Sequence, residues 1–255
     1  MIRAPVPGLA AGERRLEGAV AHYLARVLRL RAGSEFVAFD PTAGTEAHAL
    51  VVHAEGDAIA VRFGPLRAEE GPPDRTLTWI QGFAKGDKCD AVVRDATELG
   101  ATRIIVATTR RSVVRLDDAR ASARLTRWTR IAEEAARQCG RSRPPIVDRP
   151  AAWDDALASA EPDAARFCLW ERATEPLAPS LFEALASGAS LAFACGPEGG
   201  IEDDEIDLAT ARGWKATSLG PLLLRTETVA AAVLGAVRVW SGLRGQVGPT
   251  PSRAP

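Results

Sequence analysis

Two short segments combine glycines with charged or hydroxyl residues in patterns that suit a ligand site. The first, Cys195 to Gly200, reads CGPEGG and follows an apolar run. Its glycines and proline let the backbone turn sharply and bring main-chain N–H and C=O groups close to a ligand. The same residues also suit an ordinary strand-to-helix turn, so both interpretations stay open. The four acids at 202–205 favour a helix N-terminus and repel phosphate, which disfavours a phosphate cradle.

The second segment covers residues 219–228 and reads LGPLLLRTET. An apolar loop ends in a polar cluster that opens the last predicted helix, with Thr226 as its N-cap and Glu227 in its first turn. Capping explains Thr226 but not why an apolar run stops at a charged triplet. We therefore treat this segment as a second candidate for a site.

Several familiar signatures are absent from the sequence. It contains no GxGxxG after the first strand of the predicted α/β region, no GxxxxGK[ST], no GxSxG and no HExxH, which disfavours Rossmann dehydrogenases, P-loop enzymes, α/β-hydrolases and zincins. The four cysteines form no CxxC pair and the three histidines no HxxxH spacing, so we expect no metal and a reducing cytoplasm. Apolar runs fall short of the about 18 to 20 residues that span a bilayer, so we expect no membrane association.

The charge is nearly balanced overall but unevenly distributed. The 255 residues include 32 basic and 33 acidic side chains, yet residues 73–150 carry 16 basic and 10 acidic ones and residues 151–255 carry 8 and 14. Between residues 110 and 143, ten arginines accompany only four acids. Arginine contacts phosphates bidentately and stacks on bases, so this stretch is a candidate RNA surface. A solvated helix face is the alternative.

Hydrophobic periodicity predicts two regions around these segments. Residues 1 to about 70 read as a small β-rich barrel with strands at 34–40, 47–54 and 58–63, a preceding helix at 19–30 and a linker at 69–74. The rest alternates strand and helix, which predicts a parallel sheet covered on both faces. Its strands are predicted at 76–81, 103–108, 166–170 and 190–195, and its helices at 87–99, 117–139, 153–159, 202–212 and 226–241. Both candidate segments lie where strands are expected to give way to loops. Open α/β sheets bind ligands in crevices at the carboxyl ends of their strands.

Six motifs occur in one order along the chain. They are KGDK at 85–88, TELG at 97–100, RRSV at 110–113, EAARQCGR at 134–141, GPEGG at 196–200 and the segment 219–228. Together they resemble the RsmE family, the 16S rRNA uridine-N3 methyltransferases of the SPOUT class, over roughly residues 15–241. Cys139, Cys195 and Pro221 depart from the usual pattern and affect only local loop geometry.

The resemblance implies an α/β fold in three parts. These are a PUA-like β-barrel RNA-binding domain at 1–72, a SPOUT α/β domain with a C-terminal deep trefoil knot at 73–244, and a flexible tail at 245–255. It further implies a homodimer with its active site at the subunit interface, S-adenosylmethionine as cofactor and 16S rRNA of the small ribosomal subunit as partner. A non-catalytic RNA-binding scaffold with the same fold is the alternative, and the intact glycine-rich and RTET segments disfavour it.

The resemblance also assigns residues to roles. The predicted cofactor contacts are Leu169, Gly196, Pro197, Glu198, Gly199, Gly200, Leu219, Gly220, Leu224, Arg225 and Thr228. The predicted RNA contacts are Arg26, Arg29, Arg31, Lys85, Lys88, Arg110, Arg111, Arg120, Arg124, Gln138 and Arg141. Uracil N3 must lose a proton before it attacks a methyl group, so a nearby cation is needed to stabilise the anion. The candidates for that cation are Arg225 and Arg141, and the candidate bases are Glu198, Glu227 and solvent.

Overall fold

The chain divides into two compact units. The computed structural model describes residues 2–55, 58–68, 75–112 and 117–246. The first unit consists of Met1–Gly71 and Glu133–Pro144, and the second of Pro72–Ala132 and Pro145–Pro255. The association of 133–144 with the N-terminal residues is not predicted by the sequence pattern, because these residues continue the helical periodicity of 117–132. The predicted linker at 69–74 and residues 247–255 of the predicted tail lie outside the described residues.

A six-stranded mixed sheet forms the first unit. Its order is β1-β3-β4-β5-β2, with β6 paired to β4, and only the β1–β3 pair is parallel among the described strands. The strands are β1 (Arg3–Pro5), β2 (Gly12–Leu16), β3 (Glu35–Asp40), β4 (Thr45–Glu55), β5 (Ala58–Phe63) and β6 (Arg67–Ala68). The three predicted strands are confirmed as β3, β4 and β5. The others are too short or too polar to show a clear alternation.

The predicted helix at 19–30 is shorter and changes its winding. It consists of α1 (Gly18–His22) and a π-helical turn, Tyr23–Val27, with Leu24 fully buried. Arg29 then adopts a left-handed conformation with φ +55°. Arg26, Arg29 and Arg31, which were predicted to contact RNA, are exposed around this turn.

A seven-stranded sheet, parallel in every pair that the described residues form, builds the second unit. Its order is β10-β8-β7-β12-β11-β13, with β9 paired to β8. The strands are β7 (Leu77–Gly82), β8 (Arg103–Thr108), β9 (Ile146–Val147), β10 (Ala151–Ala152), β11 (Ala165–Leu169), β12 (Leu191–Cys195) and β13 (Lys215–Thr217). The predicted parallel sheet is confirmed. Its first strand, β7, lies in the middle, with later strands on both sides.

Helices cover both faces of this sheet, as predicted. They are α2 (Lys88–Glu98), α3 (Asp118–Cys139), α4 (Trp153–Ala158), α5 (Leu177–Ser187), α6 (Asp203–Ala211) and α7 (Thr226–Gln246). Alternate strand residues point to separate cores: Trp79 and Phe193 pack with α2, α5 and α7, whereas Ile80 and Ala194 pack with α4 and α6. The sheet is therefore buried on both sides, which explains its nearly continuous apolar strands.

Two elements beside the candidate site are absent from the sequence prediction. Helix α5 has buried residues at positions 177, 181, 184 and 185, but Pro176 and Pro179 obscure its start. Proline is tolerated there because the first turn lacks intrahelical N–H bonds. Strand β13 has only three residues, too few to show a period.

Helix α7 runs past Ser241 to Gln246, into the predicted tail. Within the described residues, no helix is long and apolar enough to cross a membrane.

Candidate active site

A cavity of about 480 Å³ lies at the carboxyl ends of β11, β12 and β13. It is lined by Lys88, Val229 and the residues 169–171, 195–200 and 217–226. Because β12, β11 and β13 are parallel neighbours, the loops that follow them meet at one edge of the sheet. The two segments singled out in the sequence thus form opposite walls of one site.

Ten of the eleven predicted cofactor contacts line this cavity. They are Leu169, Gly196, Pro197, Glu198, Gly199, Gly200, Leu219, Gly220, Leu224 and Arg225. Thr228 is exposed on the first turn of α7 and is not part of the lining. Among the predicted catalytic residues, Arg225 and Glu198 lie in the cavity and Glu227 follows in α7, whereas Arg141 belongs to the first unit. Their roles in binding and catalysis stay predictions.

The loop 196–200 is a tight turn packed against the end of β7. The Gly200 N–H donates to the Pro197 carbonyl at 2.9 Å, and Gly200 has φ +76°, a conformation that favours glycine. A Cβ atom on Gly196 would lie 2.6 Å from Ile201 Cγ1, so this position has no room for a side chain. A Cβ atom on Gly199 would instead meet Arg111 Cβ at 3.0 Å. Gly200 therefore allows the left-handed turn, Gly196 avoids an overlap with Ile201, and Gly199 leaves room for Arg111.

Glu198 is held by the segment that begins α2. Its carboxylate pairs with Lys88 Nζ at 2.9 Å and accepts the Lys85 N–H at 3.1 Å. Partial burial raises the pKa of Glu198, but the hydrogen bonds from Lys88 and from backbone N–H groups outweigh it and hold the pKa below its ordinary value. The same hydrogen bond raises the pKa of Lys88. Glu198 is therefore a stable anion at neutral pH and a weak proton acceptor.

Three of the four acids at 202–205 form ion pairs with arginines. Arg111 binds Glu202, Arg172 binds Asp203 and Arg110 binds Asp204. The prediction that these acids repel an anion considers only their own negative charges, and it omits the arginines that pair with them. Arg111 also donates from Nη1 to the Gly199 carbonyl at 2.6 Å. Arg111, which was predicted to contact RNA, thus holds the cavity loop, and Arg110, predicted likewise, holds the first turn of α6.

Glu205, which is buried, also links the loop after β8 to the start of α6. It is 7% exposed, and its Oε1 accepts the Arg110 N–H at 2.9 Å. Its Oε2 accepts the Glu202 N–H at 3.1 Å, which satisfies a donor at the start of α6. One carboxylate thereby joins the loop after β8 to the loop after β12.

The opposite wall is the apolar segment 219–224, which connects β13 to α7. Leu222 and Leu223 are 79% and 83% exposed, and Leu219 and Leu224 are 39% and 37% exposed. Gly220 has φ +114°, which lets the chain turn directly after Leu219. The wall therefore offers unusually exposed leucine side chains beside the cavity.

The start of α7 differs from the predicted cap. The helix begins at Thr226, and the Thr226 hydroxyl donates to the Gly196 carbonyl at 2.6 Å. The prediction of Thr226 as the N-cap is therefore wrong by one position, because Arg225 precedes the helix and its carbonyl accepts the Thr228 N–H at 2.9 Å. Glu227 lies in the first turn, as predicted, and its Oε2 is buried without a hydrogen-bond partner among the described residues.

Eleven of the twenty-one residues that line the cavity are missing from the predicted cofactor contacts, among them Lys88, Trp170, Glu171 and Ser218. Trp170 and Glu171 directly follow β11, Ser218 follows β13, and Lys88 was assigned to RNA. Arg172 stacks 4.6 Å above the Trp170 ring, which places a cation at this edge. The rule that ligands bind beyond the carboxyl ends of parallel strands identifies Trp170 and Glu171 once β11 is recognised. Ser218 requires β13, which the sequence does not reveal.

The remaining predicted RNA contacts lie on both units. Gln138 is exposed and Arg141 half-buried in the first unit, together with Arg26, Arg29 and Arg31. On α3, the exposed Arg120 lies 3.6 Å from Asp117, and Arg124 lies 5.9 Å from the centroid of the Phe83 ring. Whether RNA touches them stays a prediction.

Comparison with protein families matches both parts of the chain. A model described as an RNA methyltransferase domain matches residues 71–238, and one described as an RNA methyltransferase PUA domain matches residues 16–64. The first match covers most of the chain and contains the whole cavity lining. The second contains three of the six described strands of the first unit, β3, β4 and β5.

Named relatives agree with these models. Ribosomal RNA small subunit methyltransferase E of Mycobacterium bovis is 35% identical over 88% of this chain and 85% of its own length, and that of Bacillus subtilis is 30% identical over 87% and 88%. A crystal structure of this methyltransferase from Neisseria gonorrhoeae, bound to S-adenosyl methionine, superposes with a TM-score of 0.81 at 26% identity over 94% of this chain and 97% of that chain. A putative methyltransferase of Legionella pneumophila in complex with the same cofactor gives 0.77, also at 26% identity, over 93% and 97%. The chain, an α/β protein with a PUA-like part, therefore belongs to the ribosomal RNA small subunit methyltransferase E family of RNA methyltransferases.

Proposed function

We propose that this protein transfers a methyl group from S-adenosylmethionine to N3 of a uridine in 16S rRNA of the small ribosomal subunit. The observation that carries the proposal is the cavity between loops 196–200 and 219–225, in a chain of this family. The Neisseria gonorrhoeae and Legionella pneumophila relatives were crystallised with S-adenosylmethionine. The cavity volume of about 480 Å³ also falls within the roughly 300–1,000 Å³ of small-molecule sites.

The residues present fit this cofactor. The leucines of segment 219–224 offer apolar contact, and the glycine-rich loop 196–200 brings backbone groups to the surface. The carboxylates of Glu171 and Glu198 face a cavity that would hold a positively charged sulfonium. When bound, S-adenosylmethionine supplies an electrophilic methyl group. The chain would hold it between the two walls.

The reaction requires a cation and a proton acceptor beside the cavity. N3 loses its proton, its lone pair then forms the new bond to the methyl carbon, and the sulfur–carbon bond breaks. We assign Arg225 to stabilise the developing uracil anion, since it lies in the cavity wall directly before α7. Arg141 of a partner subunit is the alternative cation.

The two candidate carboxylate bases differ in their surroundings. Glu198 is ion-paired with Lys88 and has a lowered pKa, which makes it a poor acceptor. Glu227 has a carboxylate oxygen without a hydrogen-bond partner among the described residues, two positions after Arg225. We therefore favour Glu227 over Glu198 as the proton acceptor, with solvent as the remaining alternative. The role of Glu198 is then to anchor its loop to α2.

We assign RNA binding to the first unit and to the arginines of α3. The exposed Arg26, Arg29 and Arg31 surround one turn of the PUA-like part, and Arg120 and Arg124 project from α3. Arginine suits this role because its planar group binds phosphates and stacks on bases. A ribosomal substrate also places the enzyme in the cytoplasm.

We also propose the deep trefoil knot and the homodimer of this family. The path from β13 at the sheet edge back to α7, where Thr226 contacts Gln81 of the central β7, supports a chain that crosses over itself. The exposed Leu222 and Leu223 beside the cavity support a second copy that covers them.

The test is methylation of small ribosomal subunits that lack the modification. Purified protein with labelled S-adenosylmethionine should transfer one methyl group to 16S rRNA, and mass spectrometry of the digested RNA should place it on uridine N3. Arg225→Ala is the matched inactive control. If the protein bound the cofactor and RNA but transferred no methyl group, the proposed enzymatic activity would be refuted and the scaffold interpretation would remain. A methyl group on another atom would refute the assignment to N3.

A further inference from the structure

A buried polar network connects the two cavity walls to the central strand of the sheet. Gln81, in β7, is fully buried, and its Nε2 donates to Thr226 Oγ1 at 2.8 Å and to the Gly196 carbonyl at 3.3 Å. The Thr226 hydroxyl donates to the same carbonyl at 2.6 Å. These three groups form a closed triangle between β7, the loop after β12 and the first residue of α7.

The other end of the Gln81 amide is also fixed. Its Oε1 accepts the indole N–H of Trp79 at 3.1 Å, and Trp79 is itself fully buried against Phe193. Burying an amide is unfavourable unless its groups are hydrogen-bonded. Since both ends of this amide have partners, its orientation is determined, and Nε2 faces the two walls as well as the Gly82 carbonyl, which lies 3.1 Å away.

The network begins at the last paired position of strands β7 and β12. Gln81 is paired with Cys195 in the last register position between β7 and β12. Beyond this point the wall residues Gly196 and Thr226 line the cavity, and Gln81 lies behind them without lining it. Cys195 Sγ lies beside the triangle, 3.5 Å from the Gly196 carbonyl oxygen and 3.7 Å from Thr226 Oγ1.

We propose that Gln81 is a positioning residue for the cofactor, which sets the spacing of the two walls through Thr226 and Gly196. The proposal rests on the proposed function, because the site that the walls enclose is the one assigned to S-adenosylmethionine. Without Gln81, the Thr226 hydroxyl keeps its contacts with Gly196 and Cys195, but the start of α7 loses its side-chain hydrogen bond to the central strand β7. The cofactor would then have to bind a looser site.

The experiment measures cofactor affinity, steady-state kinetics and thermal stability for a small set of variants. Gln81→Met keeps the length of the side chain and removes its hydrogen bonds. Thr226→Val removes the hydroxyl at nearly constant volume, and Thr226→Ser keeps it. Thr78→Val is the matched control, because Thr78 is a fully buried residue of the same strand whose hydroxyl bonds Glu161 at 3.2 Å instead of a cavity wall.

Gln81→Met should weaken S-adenosylmethionine binding about tenfold, the loss expected when a buried hydrogen-bonded link is removed. The KM for the cofactor should rise with it, while kcat at saturating cofactor changes less. Thr78→Val should lower the melting temperature without changing the affinity. Thr226→Ser should lose less affinity than Thr226→Val. In the double variant Gln81→Met/Thr226→Val the losses should be less than multiplicative, because both residues act through one link.

Wild-type affinity in Gln81→Met, or independent losses in the double variant, would overturn the proposal. Equal affinity losses in Gln81→Met and Thr78→Val at matched stability would also overturn it, since the effect would then be general. If Gln81→Met does not fold, the comparison of Thr226→Ser with Thr226→Val decides, and equal affinities would refute the link. A wild-type protein that does not bind S-adenosylmethionine would overturn the proposed function itself, which separates the two failures.

Discussion

Gly82→Ala tests whether the first cavity wall depends on close packing against β7. A Cβ atom at this position would lie 2.5 Å from Pro197 Cδ, 2.6 Å from Pro197 N and 2.8 Å from the Gly196 carbonyl carbon. Ordinary contacts begin at 3.4 Å, so the loop must move by about 0.9 Å. Two of the three atoms belong to the backbone, and no side-chain rotation can relieve the overlap. The loop 196–200 must therefore move away from the strand.

This displacement of the loop determines how much stability the variant loses. Overpacking of this kind destabilises a protein by about 1–3 kcal/mol, and for a chain of this size each kcal/mol lowers Tm by about 2–4 °C. The shift also stretches the hydrogen bonds that Gln81 and Thr226 make to the Gly196 carbonyl, now 3.3 and 2.6 Å. We therefore expect a Tm lower by about 2–12 °C and an affinity for S-adenosylmethionine lower by about tenfold or more.

The assay is calorimetric titration with S-adenosylmethionine, combined with thermal unfolding. Gly235→Ala is the matched control, because Gly235 lies within α7 and an added Cβ atom would meet nothing within 4 Å. That change should leave binding intact and raise stability by up to about 1 kcal/mol. Wild-type affinity and an unchanged Tm in Gly82→Ala would refute the argument, since the loop would then tolerate the displacement.

Three further changes test catalysis, RNA binding and pH dependence. Arg225→Ala should lower single-turnover methylation far more than cofactor affinity, with partial rescue by Lys and by raised pH, because the cation stabilises only the transition state; normal turnover at neutral pH would contradict its role. Replacing Arg120 and Arg124 together by Ala should reduce the slope of log RNA affinity against log salt by about 0.7–0.9 per lost contact, and an unchanged slope would return these residues to the solvated-face interpretation. The contribution of Glu198 to cofactor binding should hold at neutral pH and disappear only as the pH falls through its lowered pKa. Titrations of wild type and Glu198→Gln across pH check this, and a loss already near neutral pH would show that another group titrates.

The sequence predicts the site well where local patterns carry it. The glycine-rich loop follows a predicted strand of the parallel sheet, at the edge where such sheets bind ligands, whereas the apolar segment before α7 is marked by the polar cluster at its end. Their residue types are also unusual for plain turns. Ten predicted contacts therefore line one cavity.

The sequence does not predict what depends on strand order. Ser218 follows β13, which has only three residues and becomes a neighbour of β11 only in the folded sheet. Gln81 lies 115 residues before Gly196 and 145 before Thr226 along the chain, so no local spacing connects them. The buried amide in an apolar strand is the one visible signal, since such groups require partners.

Charge patterns read along the chain are incomplete for the same reason. The acids after Gly200 and the arginines near residue 110 lie about ninety positions apart, and read separately they suggest an anion-repelling turn and a free basic face. In the structure Glu202 pairs with Arg111, whose second contact is the Gly199 carbonyl at 2.6 Å. The Arg111 and Glu202 side chains are 41% and 38% exposed, and their ion pair compensates both charges. The arginine motif that suggested RNA contact is thus also a structural support of the cavity wall. A substitution of Arg111 must therefore be judged by its effect on cofactor binding before any loss of activity is attributed to RNA.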